Sequence, residues 1–347
     1  MKTPLPSYQI STIEKNHALH RLTALWAFAE SGLGGVLHAL QVPFTGLIVG
    51  GFAIIIITLI ARFSENNFSE ILKSLLIVLL VKLALSPYTP FPAYLAVSFQ
   101  AIMGFAIFSF LRINFLSILL LSVIAMLESA IQKILVLTLF FGKSIYTATN
   151  TLSNFITEQI GVQSINGSFW LITIYITIYI IGGLFISIFT FNIFKTINQH
   201  KPFDNNEFHV NTPTLKSNYK RKRIVFLFAL LLIISIILFF SASLSSNKFL
   251  VIVKPITYTT LIIILWFHWI TPLFSKMMMK ILKKSESKYE QEFKATLLVL
   301  PYLKQIATLA WLKSKEYKGV KRIQYFLSCF LQWSLSFSVS PKSPNHL

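Results

Sequence analysis

Residues 22–50 read LTALWAFAESGLGGVLHALQVPFTGLIVG. The run is apolar enough to enter a bilayer, yet it carries Glu30 and His38 among small residues. Helical spacing puts Ala27, Ser31 and Gly35 at i, i+4 and i+8, a stripe of small side chains that lets helix backbones approach closely. Glu30, Gly34 and His38 form a second stripe beside it, and Gly46 and Gly50 repeat the spacing on the next segment. Ionisable groups at membrane depth are costly and face a partner or a cavity. The stretch therefore predicts a tightly packed helical pair built around something polar. Glu30 and His38 either serve a bound molecule or only satisfy each other and a neighbouring helix, and both readings stay open.

Composition sets the class. The chain has 347 residues, of which 54% are hydrophobic and 12% charged. That balance belongs to polytopic membrane proteins rather than soluble domains. Thirty-one Lys and Arg stand against 12 Asp and Glu, a net charge of +19. The excess sits in a few hydrophilic stretches, which assigns it to topology and lipid headgroups rather than nucleic acid. Residues 1–20 are polar and the apolar run behind them is too long for a cleaved signal. A single cysteine, Cys329, excludes an internal disulfide and a cysteine-cluster metal site.

Apolar runs long enough for a core of about 30 Å predict an all-α protein with helix 1 at 19–40, helix 2 at 44–61, helix 3 at 71–86, helix 4 at 93–111, helix 5 at 113–141, helix 6 at 169–194, helix 7 at 224–244 and helix 8 at 251–274. A weaker ninth candidate lies at 323–339, so the expectation is about 8–9 transmembrane helices. Helix 3 is short and carries Lys73 and Lys82, which are expected to snorkel towards opposite faces. Helix 5 is too long for one straight span. The 142–168 loop contains TATNTLSNFITEQI, a candidate interfacial helix.

The Lys/Arg distribution orients the chain. With the N-terminus in the cytoplasm, Arg62, the basic 195–223 stretch and the lysine-rich segment after helix 8 all fall inside, and the 1–2 and 3–4 turns, without Lys or Arg, fall outside. The expected location is a bacterial cytoplasmic (inner) membrane. The expected organisation is a six-helix bundle over 1–195, a basic cytoplasmic linker over 196–223, and C-terminal transmembrane and cytoplasmic helices over 224–347. ATLLVLPYLKQIATLAWLKSKEYKGVKR, from residue 295, reads as an interfacial surface helix closed near Gly319.

There is no Walker A loop, HExxH or EF-hand, and Asp204 is the sole aspartate, which excludes Asp-rich magnesium motifs. His17 and His20, three apart on a helix before the membrane, could begin a metal or haem site, but a lone pair falls short of the ligand count such a site needs. No cofactor is expected. What remains is an intramembrane polar set: Glu30, His38, Lys82, Gln100, Glu128, Gln132 and Lys133. His38, Lys82, Tyr88, Tyr94 and Gln100 fall towards the outer half, under short lids at 41–45 and 86–92, with Glu30 nearer the middle. Donors and acceptors so grouped are what a small-solute site needs. Glu128 and Gln132, at i, i+4, suggest an internal packing bond or a salt bridge to a lysine.

TALWAFAESGLGG, the Pro43-Phe44-Thr45-Gly46 turn, AYLAVSFQAIMG and YIIGGLFISIF together resemble the substrate-binding S component of energy-coupling-factor (ECF) vitamin transporters. That resemblance implies a six-helix bundle with an outward-facing pocket and a small-residue face on helix 1. The C-terminal part is similar to the end of the transmembrane coupling (T) component. Ser314-Lys315-Glu316-Tyr317-Lys318-Gly319 has the spacing of the family's coupling signature, with Ser for Ala and Lys for Arg. The resemblance implies that Ser314, Lys318 and Gly319 contribute to a contact with separate ATPase subunits, and that Ala27, Ser31 and Gly35 form a moving surface.

The favoured expectation is an ECF-like membrane subunit that takes up a small solute, a vitamin or similar. A second is an integral-membrane enzyme acting on a lipid-soluble substrate, with Glu30 and His38 as acid and base. A third is a non-catalytic membrane scaffold.

Overall fold

The computed structural model describes residues 12–39, 44–65, 67–86, 89–161, 166–196 and, with breaks at 263, 266–267 and 270, 260–337. Every regular element among them is helical. They are α1 (Thr12–Phe28), a π-helical segment (Ala29–Leu33), α2 (Gly34–Ala39), α3 (Thr45–Phe63), α4 (Ser69–Leu85), α5 (Phe91–Leu111), α6 (Phe115–Phe141), α7 (Ser144–Ile160), α8 (Gly167–Thr196), α9 (Thr271–Lys313), a 3₁₀ turn (Ser314–Glu316) and α10 (Gly319–Ser336).

Five stretches are long and apolar enough to cross a membrane: Thr45–Phe63, Phe91–Leu111, Phe115–Phe141, Gly167–Phe194 and Tyr289–Glu316. The first four coincide with expected helices 2, 4, 5 and 6. α4 has 17 residues and Lys82 near its end. The run expected as helix 1 is divided by the π segment. Expected helix 7 (224–244), most of helix 8 (251–274) and the linker at 196–223 lie outside the described residues. The stretch expected as a surface helix from residue 295 is helical as part of α9, which is kinked at Tyr289 (φ −117°, ψ 19°) and continues through Pro301 to Lys313.

Local chemistry sets the boundaries. Pro90 caps α5, where the missing N–H of Pro92 in the first turn costs nothing. Asn114 opens α6 with a capping box: its Oδ1 accepts from the Ser117 N–H at 2.9 Å and its own N–H donates to Ser117 Oγ at 2.9 Å. Gly161 ends α7 with φ +72°, a conformation that favours a residue without Cβ. Phe44 holds a left-handed conformation (φ 59°) ahead of α3, and its ring lies 6.1 Å from those of Tyr175 and Tyr179 on α8.

α3 is the axial helix, with Ala53, Ile54, Ile56, Ile57, Ile60 and Ala61 fully buried. Around it, glycines let neighbouring helices touch. A Cβ on Gly104 of α5 would stand 2.6 Å from Ile57 Cγ2, and one on Gly183 of α8 would stand 3.0 Å from the Val123 Cα of α6. α9 and α10 form an antiparallel hairpin, since Tyr302 meets Phe337 while Trp311 meets Phe326. The hairpin shares the core: Leu303, Ile306 and Ala310 are buried in it, and Phe330 of α10 stacks on Phe52 of α3 at 6.3 Å. Arg21 of α1 closes the far end, with its guanidinium carbon 3.8 Å from the Phe337 ring centroid and Nη2 donating to the Phe337 carbonyl at 3.3 Å. The 142–168 loop does contain a helix, α7, which leaves Leu152 and Ile160 exposed.

Candidate functional site

The π segment carries the first candidate residue, Glu30. An i→i+5 turn holds one residue more than an α turn, and such turns recur at functional sites. Here it turns Glu30 into the bundle, where the residue is 7% exposed. From α4, Lys82, 4% exposed, donates from Nζ to Glu30 Oε2 at 2.7 Å. This overturns the expectation that Lys82 snorkels to a surface. Snorkelling relieves a lone charge, and a carboxylate within hydrogen-bond reach removes the need. Lys73, at the other end of α4, is half-buried and lies 3.3 Å from Glu292 of α9.

Tyr94, at the start of α5, completes one wall, with its ring centroid 5.9 Å from Lys82 Nζ. Gln100 lies two turns further along α5, 3% exposed. It packs against Gly50 of α3, where an added Cβ would stand 3.0 Å from Gln100 Nε2 and from Met126 Cε. Gln100 Oε1 and Ser31 Oγ are buried with no hydrogen-bond partner among the described residues. The Ser31 carbonyl accepts from Ser86 Oγ at 3.5 Å, tying the π segment to the end of α4. Glu30, Lys82, Tyr94 and Gln100 are thus all buried, and Glu30, Lys82 and Tyr94 are brought together.

His38 belongs to α2 by its backbone, but its side chain lies outside the described residues, as does Tyr88. Ala27 and Ser31 are buried, whereas Gly35 is exposed, and a methyl group added to it would meet nothing within 4 Å. The wide turn explains the divergence, because residues four apart across a π segment no longer stack. In the C-terminal elbow, Ser314 is fully buried, Lys318 is exposed, and Gly319 (φ +58°) opens α10 rather than closing α9. Gln132 does not pair with Glu128: its Nε2 donates to the Pro92 carbonyl of α5 at 2.8 Å. Glu128 Oε2 is buried with no hydrogen-bond partner among the described residues.

A second polar cluster was not evident in the sequence. Asn16, His20, Thr23, Glu70, Lys73 and Ser74 line a cavity of about 50 Å³ between α1 and α4, outside the five stretches long and apolar enough to cross a membrane. Thr23 Oγ1 and Ser74 Oγ share a hydrogen bond of 2.8 Å at its floor. Burial and then the charge of Lys73 hold the His20 imidazole below its ordinary value, with His17 adding to the effect and Glu292 and Glu70 opposing it. Among the described residues no three His, Cys, Asp or Glu side chains gather in a way that would hold a metal ion.

The buried pair can do one kind of chemistry directly. Opening a buried carboxylate–ammonium pair leaves each charge uncompensated, at about 3–5 kcal/mol, unless the entering solute brings an opposite charge for both partners. No family model, curated protein or solved structure matches this chain.

Proposed function

We propose that this chain is the solute-binding membrane subunit of an ECF-like uptake transporter in a bacterial cytoplasmic membrane, with its N-terminus in the cytoplasm. The observation that carries the reading is the Lys82–Glu30 pair, 2.7 Å apart and enclosed by α1, α4 and α5. Charges at membrane depth are kept where a solute or ion must pass. Gln100 Oε1 and Ser31 Oγ, buried without hydrogen-bond partners among the described residues, add unused polar capacity to the same interior. A small solute bearing both a carboxylate and an amine would enter between the two, its carboxylate meeting Lys82 and its amine meeting Glu30, so that both charges stay compensated. Separate ATPase subunits would supply the energy.

The enzyme alternative needs Glu30 to act as an acid or base with His38, and the Glu30 carboxylate is already engaged by Lys82. That engagement favours solute binding over proton transfer.

The test is uptake of a panel of vitamins and amino-acid-like solutes by cells expressing the chain, with mass spectrometry of small molecules that co-purify. The double variant Glu30→Gln/Lys82→Met should fold and lose both uptake and co-purifying solute. A folded double variant with undiminished uptake would overturn the assignment of the site. Purification of the wild-type chain without any nucleotide-binding subunit would count against the ECF class.

A further inference from the structure

α9 and α10 are joined by an elbow whose parts are fixed from within. Ser314 is fully buried, and its Oγ donates to the Trp311 carbonyl at 2.7 Å and accepts from Arg322 Nε at 3.4 Å. The Arg322 guanidinium carbon sits 4.2 Å from the Trp311 ring centroid, and Tyr317 stacks on Tyr325 at 4.4 Å. These contacts hold the turn without using Lys315, Lys318 or Lys321, all of which are exposed. Leu312, Val320 and Ile323, each about half exposed, stand among the lysines. Glu316 is the one acidic residue between positions 311 and 323.

Two observations say what covers this surface. The first is continuity: the elbow takes in the last residues of Tyr289–Glu316, a stretch long and apolar enough to cross a membrane. If that stretch crosses, Trp311 and Tyr317 fall at headgroup depth, where amphipathic aromatic rings concentrate. The second is charge. Three exposed lysines interleaved with exposed aliphatic side chains match a surface that is anionic outside and hydrocarbon beneath. We propose that the 311–323 elbow is a binding site for anionic phospholipid headgroups. The lysines contact lipid phosphates, while Leu312, Val320 and Ile323 reach the acyl boundary. Ser314 and Arg322, turned inward, position the lysines without touching lipid. The site stands whether or not the chain moves a solute.

The experiment uses the full chain purified in a zwitterionic detergent and titrated with phosphatidylglycerol or phosphatidylcholine. Thermal unfolding and native mass spectrometry are the readouts. Phosphatidylglycerol should raise the melting temperature and add bound lipid, and phosphatidylcholine should do neither. Lys315→Gln/Lys318→Gln/Lys321→Gln should weaken phosphatidylglycerol binding at least about tenfold at low salt, and Lys143→Gln should leave it unchanged. If the triple glutamine variant does not fold, Lys315→Arg/Lys318→Arg/Lys321→Arg should keep the binding and lose it in high salt. Equal response to both lipids, or binding untouched by the glutamine variant, overturns the proposal. So does a wild-type elbow that ignores phosphatidylglycerol but loses a co-purifying ATPase subunit when its lysines are replaced.

Discussion

Lys82 Nζ stands 2.7 Å from Glu30 Oε2, which joins the last turns of α4 to the π segment that follows α1. Neither side chain is open to solvent, so the two charges depend on each other. Removing one leaves the other uncompensated, and that costs about 3–5 kcal/mol, whereas replacing both with similar volume is often close to neutral.

Glu30→Gln and Lys82→Met should therefore each lower the unfolding temperature sharply in detergent, and the double variant should recover most of the loss. A double-mutant cycle on thermal unfolding measures the coupling. Additive losses would mean that the pair is not the unit the distance implies.

Close helix crossings give a second prediction. Gly104→Ala brings a methyl group 2.6 Å from Ile57 Cγ2, and Gly183→Ala brings one against the backbone of α6. Overpacking of this kind costs about 1–3 kcal/mol. Gly35→Ala meets no atom within 4 Å and lies in α2, so it should be neutral or stabilising by up to about 1 kcal/mol. Unfolding of the three variants side by side separates crowding from general glycine sensitivity.

The His20 cluster predicts a pH dependence. Burial, then Lys73, keeps the folded imidazole below the ordinary value of 6.5. The unfolded chain takes up the proton first, so stability is fully present above that value and is lost as pH falls from there through the folded value. Unfolding at pH 7.5 and 5.5 should show the loss, and His20→Asn should flatten it. Lys73→Met, which removes a charge that lowers the His20 value, should narrow the window. It should also loosen α9, because Lys73 is the contact to Glu292.

Arg21 predicts a local effect. Its guanidinium covers the Phe337 ring and donates to the Phe337 carbonyl. Arg21→Met should leave the bundle folded but free the end of α10, at a cost of about 1–2 kcal/mol. Hydrogen exchange over residues 330–337 should quicken while α3 stays protected.

Hydropathy alone located the apolar helices well: 44–61 against Thr45–Phe63, 93–111 against Phe91–Leu111, and 169–194 against Gly167–Thr196. Length and polarity are properties of the segment itself. Partner choice is not. Lys82 looks like a snorkelling lysine until α1 is rotated so that Glu30 faces it. Gln132 looks matched to Glu128 by spacing, but packing of α6 on α5 brings the Pro92 carbonyl within reach, and Gln132 donates there instead. Pro301 reads as an interruption, yet α9 passes through it. The small-residue stripe through Ala27, Ser31 and Gly35 assumes a uniform helical period, and the only local hint that the period fails is the Gly-rich run at 32–35.

That irregular period marks where the run tolerates a change in chain length. A π segment is a regular helix with a surplus residue, the trace that a one-codon insertion leaves behind. Deleting Gly32 would remove that surplus and leave a regular helix with the register of α2 against α1 kept, whereas the same deletion inside the regular part of α1 would rotate everything downstream by about 100°. The segment is thus the one place along α1 and α2 where a residue could be lost without turning the far half of the run towards a different neighbour.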